Sequence, residues 1–141
     1  MWLILLAGDW LAIGLFVLLG QMDHGMLSAA GLPRLLQTTA VLAGPWTVVA
    51  ALLGAYRVGP EVGNGWRFLG RSLTAWLVAA PLALLLRAWL QGQASIIVAF
   101  FVVTLGLGGV FLLVWRGVFW WGMGVTRRGT EGEVGRLEIG D

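Results

Sequence analysis

Four apolar runs organise the chain, at about Trp2–Gly20, Leu35–Tyr56, Phe68–Leu90 and Ser95–Trp115. Each is long enough to cross roughly 30 Å of hydrocarbon at about 1.5 Å per helical residue. The breaks between them carry turn chemistry: HGMLSAAGLPR before the second run, RVGPEVGNGWR before the third and QGQ before the fourth. The short QGQ link makes the third and fourth helices antiparallel neighbours. Beyond the fourth run, VFWWGMG reads as interfacial and Thr126 to Asp141 as a polar, Gly-rich, mobile tail. The pattern therefore predicts an all-α polytopic membrane four-helix bundle over residues 1–121, followed by a cytoplasmic tail over 122–141. The first run has no basic segment before it, is long for a signal sequence and contains Asp9, so it is expected to remain as a helix.

Composition agrees with the pattern. Of 141 residues 59% are hydrophobic and 11% charged, and mean hydropathy is +0.88, a balance that a soluble domain with a polar surface does not reach. With no Cys, thiol catalysis, disulfides and Cys-ligated metal centres are excluded. One His argues against a His-rich metal site, and the absence of Lys removes the usual Schiff-base nucleophile. The net charge of +2 sits in arginines that flank apolar runs, which points to a membrane topology signal and not to nucleic acid.

Those arginines set an orientation. Arg57, Arg67, Arg71, Arg116, Arg127, Arg128 and Arg136 fall on one side of the spans, against Arg34 and Arg87 on the other. Seven against two places both termini in the cytoplasm, and hence the protein in the cytoplasmic (inner) membrane. Trp2, Trp66, Trp115, Trp120 and Trp121 then lie near the cytoplasmic interface and Trp89 near the outer one, while Trp10, Trp46 and Trp76 lie deeper.

Small residues mark where membrane helices approach closely, because lipid supplies no hydrophobic drive for them to associate. In the second run Ala43, Thr47, Ala50 and Gly54 share a face, and in the fourth Gly106, Gly108 and Gly109 cluster at the middle. With Gly20 these are read as packing positions in preference to a ligand groove. Pro45 and Pro81 each remove a backbone donor inside a span and free the carbonyls of Val41 and Leu77, which predicts a kink at both.

Asp9 is the residue that most needs an explanation, since a carboxylate at the centre of a membrane helix costs about 2.5–3.5 kcal/mol on insertion scales. Asp9, Phe16, Gly20 and His24 share one helical face, but Asp9 and His24 are about 22 Å apart at 1.5 Å per residue, so they form no single site. Asp9 is expected to be a buried polar group bonded to an indole donor, a hydroxyl or a freed carbonyl, with Thr47 and the turn opened by Pro45 as first candidates and a transport or proton-coupled role as the alternative. Asp23, His24, Arg34 and Arg87, with Gln91, Gln93 and Ser95 nearby, form a separate polar cluster at the outer rim, where Arg87 snorkels and His24 is solvated.

The residues Asp9, Phe16, Gly20, His24 and Gly25, with LLLR ending at Arg87, GQAS at 92–95 and VWR ending at Arg116, resemble the bacterial and archaeal membrane family of domain of unknown function 3054. The resemblance runs from Asp9 to Arg116. It implies a small four-span protein, and it implies that Asp9, Phe16, Gly20, His24, Gly25, Arg87, Trp115 and Arg116 occupy recurring family positions. The chain departs from the family pattern at Gly44-Pro45-Trp46, where Trp-Pro-Phe is usual, and at Val114, where Gly is usual.

No constellation of paired acids, of Ser with a base or of His-rich ligands occurs at workable depth, and Glu61, Glu131, Glu133 and Glu138 sit in a loop or the tail. A non-enzymatic role is therefore expected: binding or moving a small solute, ion or lipid, as a homo-oligomer among membrane lipids. The alternative is an accessory subunit of a larger membrane complex. The sequence names no cofactor and no metal site.

Overall fold

The structure, a computed structural model, describes residues 1–23, 31–57, 64–92 and 98–138, with side chains in the last range given for 98 and 100–123. It is all-helical over these residues: α1 (Trp2–Asp23), α2 (Gly31–Leu52), α3 (Gly65–Leu90), α4 (Val98–Val103), a π-helical turn (Thr104–Gly108) and α5 (Gly109–Glu138). α4, the π turn and α5 follow one another without a break, so the chain makes four long rods. All four are long and apolar enough to cross a membrane, the last over Phe100–Met123. α1 packs on α2, α2 on α3, α3 on α5 and α5 on α1, which closes an up-and-down bundle.

The boundaries differ from the expected ones in informative ways. α2 begins four residues before Leu35 and stops at Leu52, short of the expected Tyr56. What stops it is Gly54, whose φ of +69° only a glycine adopts cheaply. Gly54 N–H donates to Ala51 O at 3.2 Å and Ala55 N–H to Ala50 O at 2.8 Å, the paired bonds of a Schellman turn. Gly54, expected on the packing face, is buried and also ends the helix. Gly92, at φ +62°, performs the same service after α3, where its N–H bonds Trp89 O. The last rod runs past the expected end at Trp115 to Glu138, so the boundary placed at 121–122 falls within α5. Pro45 and Pro81 both lie inside continuous helices.

The bundle centre is aromatic. Trp46 of α2 and Trp76 of α3 are buried and meet edge to face with ring centroids 5.9 Å apart, and Phe16 of α1 faces Phe111 of α5 at 6.4 Å. Ala43 and Ala50, expected at a packing face, are fully buried, as are Ala75, Ala79 and Ala83 on α3. Leucines and valines of every rod remain exposed on the outside, the surface that lipid covers in a membrane protein.

Glycines meet indoles in this packing. A Cβ on Gly8 would lie 1.9 Å from the ring of Trp115, on Gly65 2.8 Å from Trp120, and on Gly108 and Gly109 2.9 and 2.8 Å from Trp76. Gly109 therefore packs as expected. Gly20 and Gly106 do not: both are exposed, and a Cβ on either would meet nothing within 4 Å. Gly20 keeps the helical line of Asp9 and Phe16, within about 40° at 100° per residue, yet it is exposed near the end of α1, where Gln21 is the buried residue.

Candidate functional site

The inward stripe of α1 is Leu5, Gly8, Asp9, Ala12, Ile13, Phe16 and Val17, a spacing of three and four that carries the Asp9 carboxylate into the bundle. Asp9 lies about 10 Å along the axis from Trp2 at 1.5 Å per residue, and it is completely buried. Opposite it stands Arg116 of α5, also completely buried. Arg116 Nε donates to Asp9 Oδ1 at 3.1 Å and Nη2 to Oδ2 at 2.6 Å, a two-pronged charge-assisted pair.

Every long rod contributes to this pair. α2 supplies Trp46, whose indole N–H donates to Asp9 Oδ2 at 3.0 Å, and its terminal Schellman turn directs the Ala55 carbonyl inward to accept from Arg116 Nη1 at 2.9 Å. α3 supplies Ser72, whose hydroxyl donates to Phe68 O at 2.8 Å and accepts from Arg116 Nη1 at 3.0 Å. The guanidinium is also flanked by the rings of Trp46, Tyr56 and Phe68 at 5.0, 5.1 and 5.6 Å. Such rings attract a cation that has left water. Four of the five guanidinium N–H groups are placed in hydrogen bonds, and the carboxylate accepts three. A charged pair is tolerated at this depth because opposite charge and donors replace the water it lost.

Thr47, expected to meet Asp9, turns elsewhere. Its hydroxyl donates to Ala43 O at 2.7 Å and accepts from the Trp10 indole at 3.1 Å, which ties α1 to α2 on the flank of the site. The expectation of an indole donor for Asp9 is met by the neighbouring Trp46. The arginine balance counted Arg116 among the cytoplasmic arginines, and although the family resemblance marked it with Asp9 as a recurring position, nothing in the sequence reading paired the two. The available signal was the apolar VFWW that follows it, which leaves Arg116 inside a hydrophobic run and not at its end. Ser72 was visible only as a lone hydroxyl in an apolar helix, and the part played by the Ala55 carbonyl had no side-chain signal at all.

The outer rim is looser. Asp23 is exposed at the end of α1, and Arg34 is exposed near the start of α2. Arg87 is half-buried and lies over the ring of Phe100, 4.3 Å from its centroid, and among the described residues it meets no carboxylate. His24, Gln93 and Ser95 lie outside the described residues.

Two features flank the ion pair. In the π turn the Leu105 carbonyl accepts the Trp76 indole N–H at 2.9 Å, so the buried tryptophan satisfies a backbone group in the segment where the helix changes its winding. At the Trp2 end of the bundle, a groove of 320 Å³ opens between α1 and the end of α2, lined by Trp2, Leu6, Thr47, Ala51, Tyr56 and Arg57 together with Gly54. Burial, reinforced by the Asp9 carboxylate, raises the Tyr56 hydroxyl above its ordinary range, so it is present as an O–H donor. It lies beside the Asp9 carboxylate and the Thr47 hydroxyl but completes no hydrogen bond among the described residues. Those residues also contain no group of His, Cys, Asp and Glu arranged to hold a metal ion.

The family model described as protein of unknown function (DUF3054) matches the chain over residues 6–119. Nothing among curated proteins or solved structures matches the chain significantly. The matched stretch contains Asp9, Trp46, Ala55, Ser72 and Arg116, the whole of the buried site.

Proposed function

The chain belongs to the DUF3054 family of proteins of unknown function, and from the site it builds there we propose a non-enzymatic multi-pass membrane protein that binds or moves a small solute, ion or lipid. The observation that carries this reading is the position of the groove. Tyr56 lines the groove and also lays its ring against Arg116, so an occupant is one residue from the ion pair that joins all four rods. The volume of 320 Å³ lies at the lower end of ligand pockets, about 300–1,000 Å³.

The chemistry of the pair supports binding over catalysis. Its carboxylate is held by three donors and its cation is an arginine, which does not give up a proton, so neither is poised as an acid or base. It serves as a junction whose geometry an occupant of the groove can bias. The axis of the bundle is filled by Trp46 and Trp76, which supports movement of a solute between copies of a homo-oligomer over movement through one copy. The arginine balance supports a cytoplasmic-membrane location with both termini in the cytoplasm.

The test is purification in mild detergent with mass spectrometry of what co-purifies, followed by flux measurements in proteoliposomes. A retained small molecule or lipid, and a flux that Asp9→Asn abolishes, are the expected results. Recovery of a stoichiometric unrelated membrane protein with no bound small molecule would favour the accessory-subunit role instead.

A further inference from the structure

The groove between α1 and α2 is apolar along its length and cationic at its mouth. Leu6 and Ala51 form walls at membrane depth, while Trp2 in the first turn of α1 is exposed at the level where indoles sit among headgroups. Arg57 closes the mouth. Its stem lies against Gly54, where an added Cβ would come within 3.2 Å of Cδ, and its exposed guanidinium has no ion pair or hydrogen bond among the described residues. The carboxylate on the adjoining helix, Asp9, is already committed to Arg116 and Trp46. The Tyr56 hydroxyl is a buried donor beside Asp9 and Thr47 that completes no hydrogen bond among the described residues.

A cation with no partner among the described residues, above an apolar trough and beside a tyrosine hydroxyl, complements an amphiphile whose head is an anion. We infer that this groove holds one anionic phospholipid from the leaflet at which Arg57 lies: phosphate on Arg57, an ester or phosphate oxygen on the Tyr56 hydroxyl, and the start of an acyl chain against Leu6 and Ala51. The inference rests on the ligand-binding reading above and names its ligand class. A free anion of the same charge would leave the apolar walls uncovered, and a zwitterionic lipid would leave Arg57 without net compensation.

The experiment is native mass spectrometry of the full chain in mild detergent with equimolar dioleoyl phosphatidylglycerol and dioleoyl phosphatidylcholine. The wild type is expected to retain phosphatidylglycerol over phosphatidylcholine by about fivefold, the size of one surface arginine's contribution. Arg57→Gln removes the preference, Ala51→Phe fills the trough and removes both adducts, and Arg67→Gln, an exposed arginine at the same end of the bundle, changes neither. Thermal melting checks that each variant is folded. A preference that survives Arg57→Gln, or adducts that survive Ala51→Phe, overturns the inference. Equal retention of both lipids, lost together in Ala51→Phe, overturns the anionic assignment while leaving the ligand-binding reading standing; no bound molecule of any kind ends both.

Discussion

Asp9 and Arg116 stand 107 residues apart in sequence and 2.6 Å apart in space, both completely buried, with Asp9 Oδ2 also accepting from the Trp46 indole. Because the two charges compensate each other where no water is present, removing one strands the other. Asp9→Asn or Arg116→Gln is expected to cost about 3–5 kcal/mol, whereas Asp9→Leu combined with Arg116→Met costs much less. Arg116→Lys falls between, since an ammonium cannot reach the carboxylate, Ala55 O and Ser72 Oγ together as the fork does. Denaturant titration in detergent micelles measures all four. A double variant as unstable as the worse single one would contradict the pairing.

Half of this site was legible from the sequence. A lone acid in an apolar run has to be satisfied inside the protein, so Asp9 was recognisable by its cost alone. Its partner was not, because an arginine near the end of a run reads equally as a topology signal, and only the packing of α5 on α1 separates the two. Span number and fold followed from hydropathy, which the bilayer thickness makes nearly deterministic. Packing was read less well: glycine spacing identifies a bare strip of helix but not what stands opposite. Gly20 and Gly106 face outward with nothing near them, while Gly8, given no role by sequence, lies under Trp115.

Gly8 accordingly makes a sharp prediction. A methyl at this position would overlap the Trp115 ring at 1.9 Å, one residue from both members of the ion pair. Gly8→Ala should destabilise by about 1–3 kcal/mol, the usual range for overpacking. Trp115→Leu in the same chain should restore part of the loss, and a double-mutant cycle in detergent reads the coupling. Additive losses would show that the two residues do not share the space.

Trp76 supports the π turn through a single hydrogen bond to Leu105 O. Trp76→Phe keeps most of the ring against Gly108 and Gly109 but leaves that carbonyl without its donor, at a cost of about 1–3 kcal/mol. The effect should be local: faster hydrogen exchange over Thr104–Gly109, with the amides around Asp9 unchanged. Uniformly faster exchange along the chain would instead mark Trp76 as a general core residue.

The orientation can be checked cleanly because the chain has no cysteine of its own. Arg116 no longer belongs in the topological count, which leaves six arginines against two, still in favour of cytoplasmic termini. Asn64, exposed ahead of α3 and making no side-chain cap bond, tolerates replacement, and Gln91 is exposed at the opposite end of the same helix. In intact cells a membrane-impermeant maleimide is expected to label Gln91→Cys and to reach Asn64→Cys only after permeabilisation. The reverse pattern would invert the bundle and place Arg57 and its groove in the outer leaflet. There the cytoplasmic leaflet's negative surface potential would no longer favour an anionic ligand at that site.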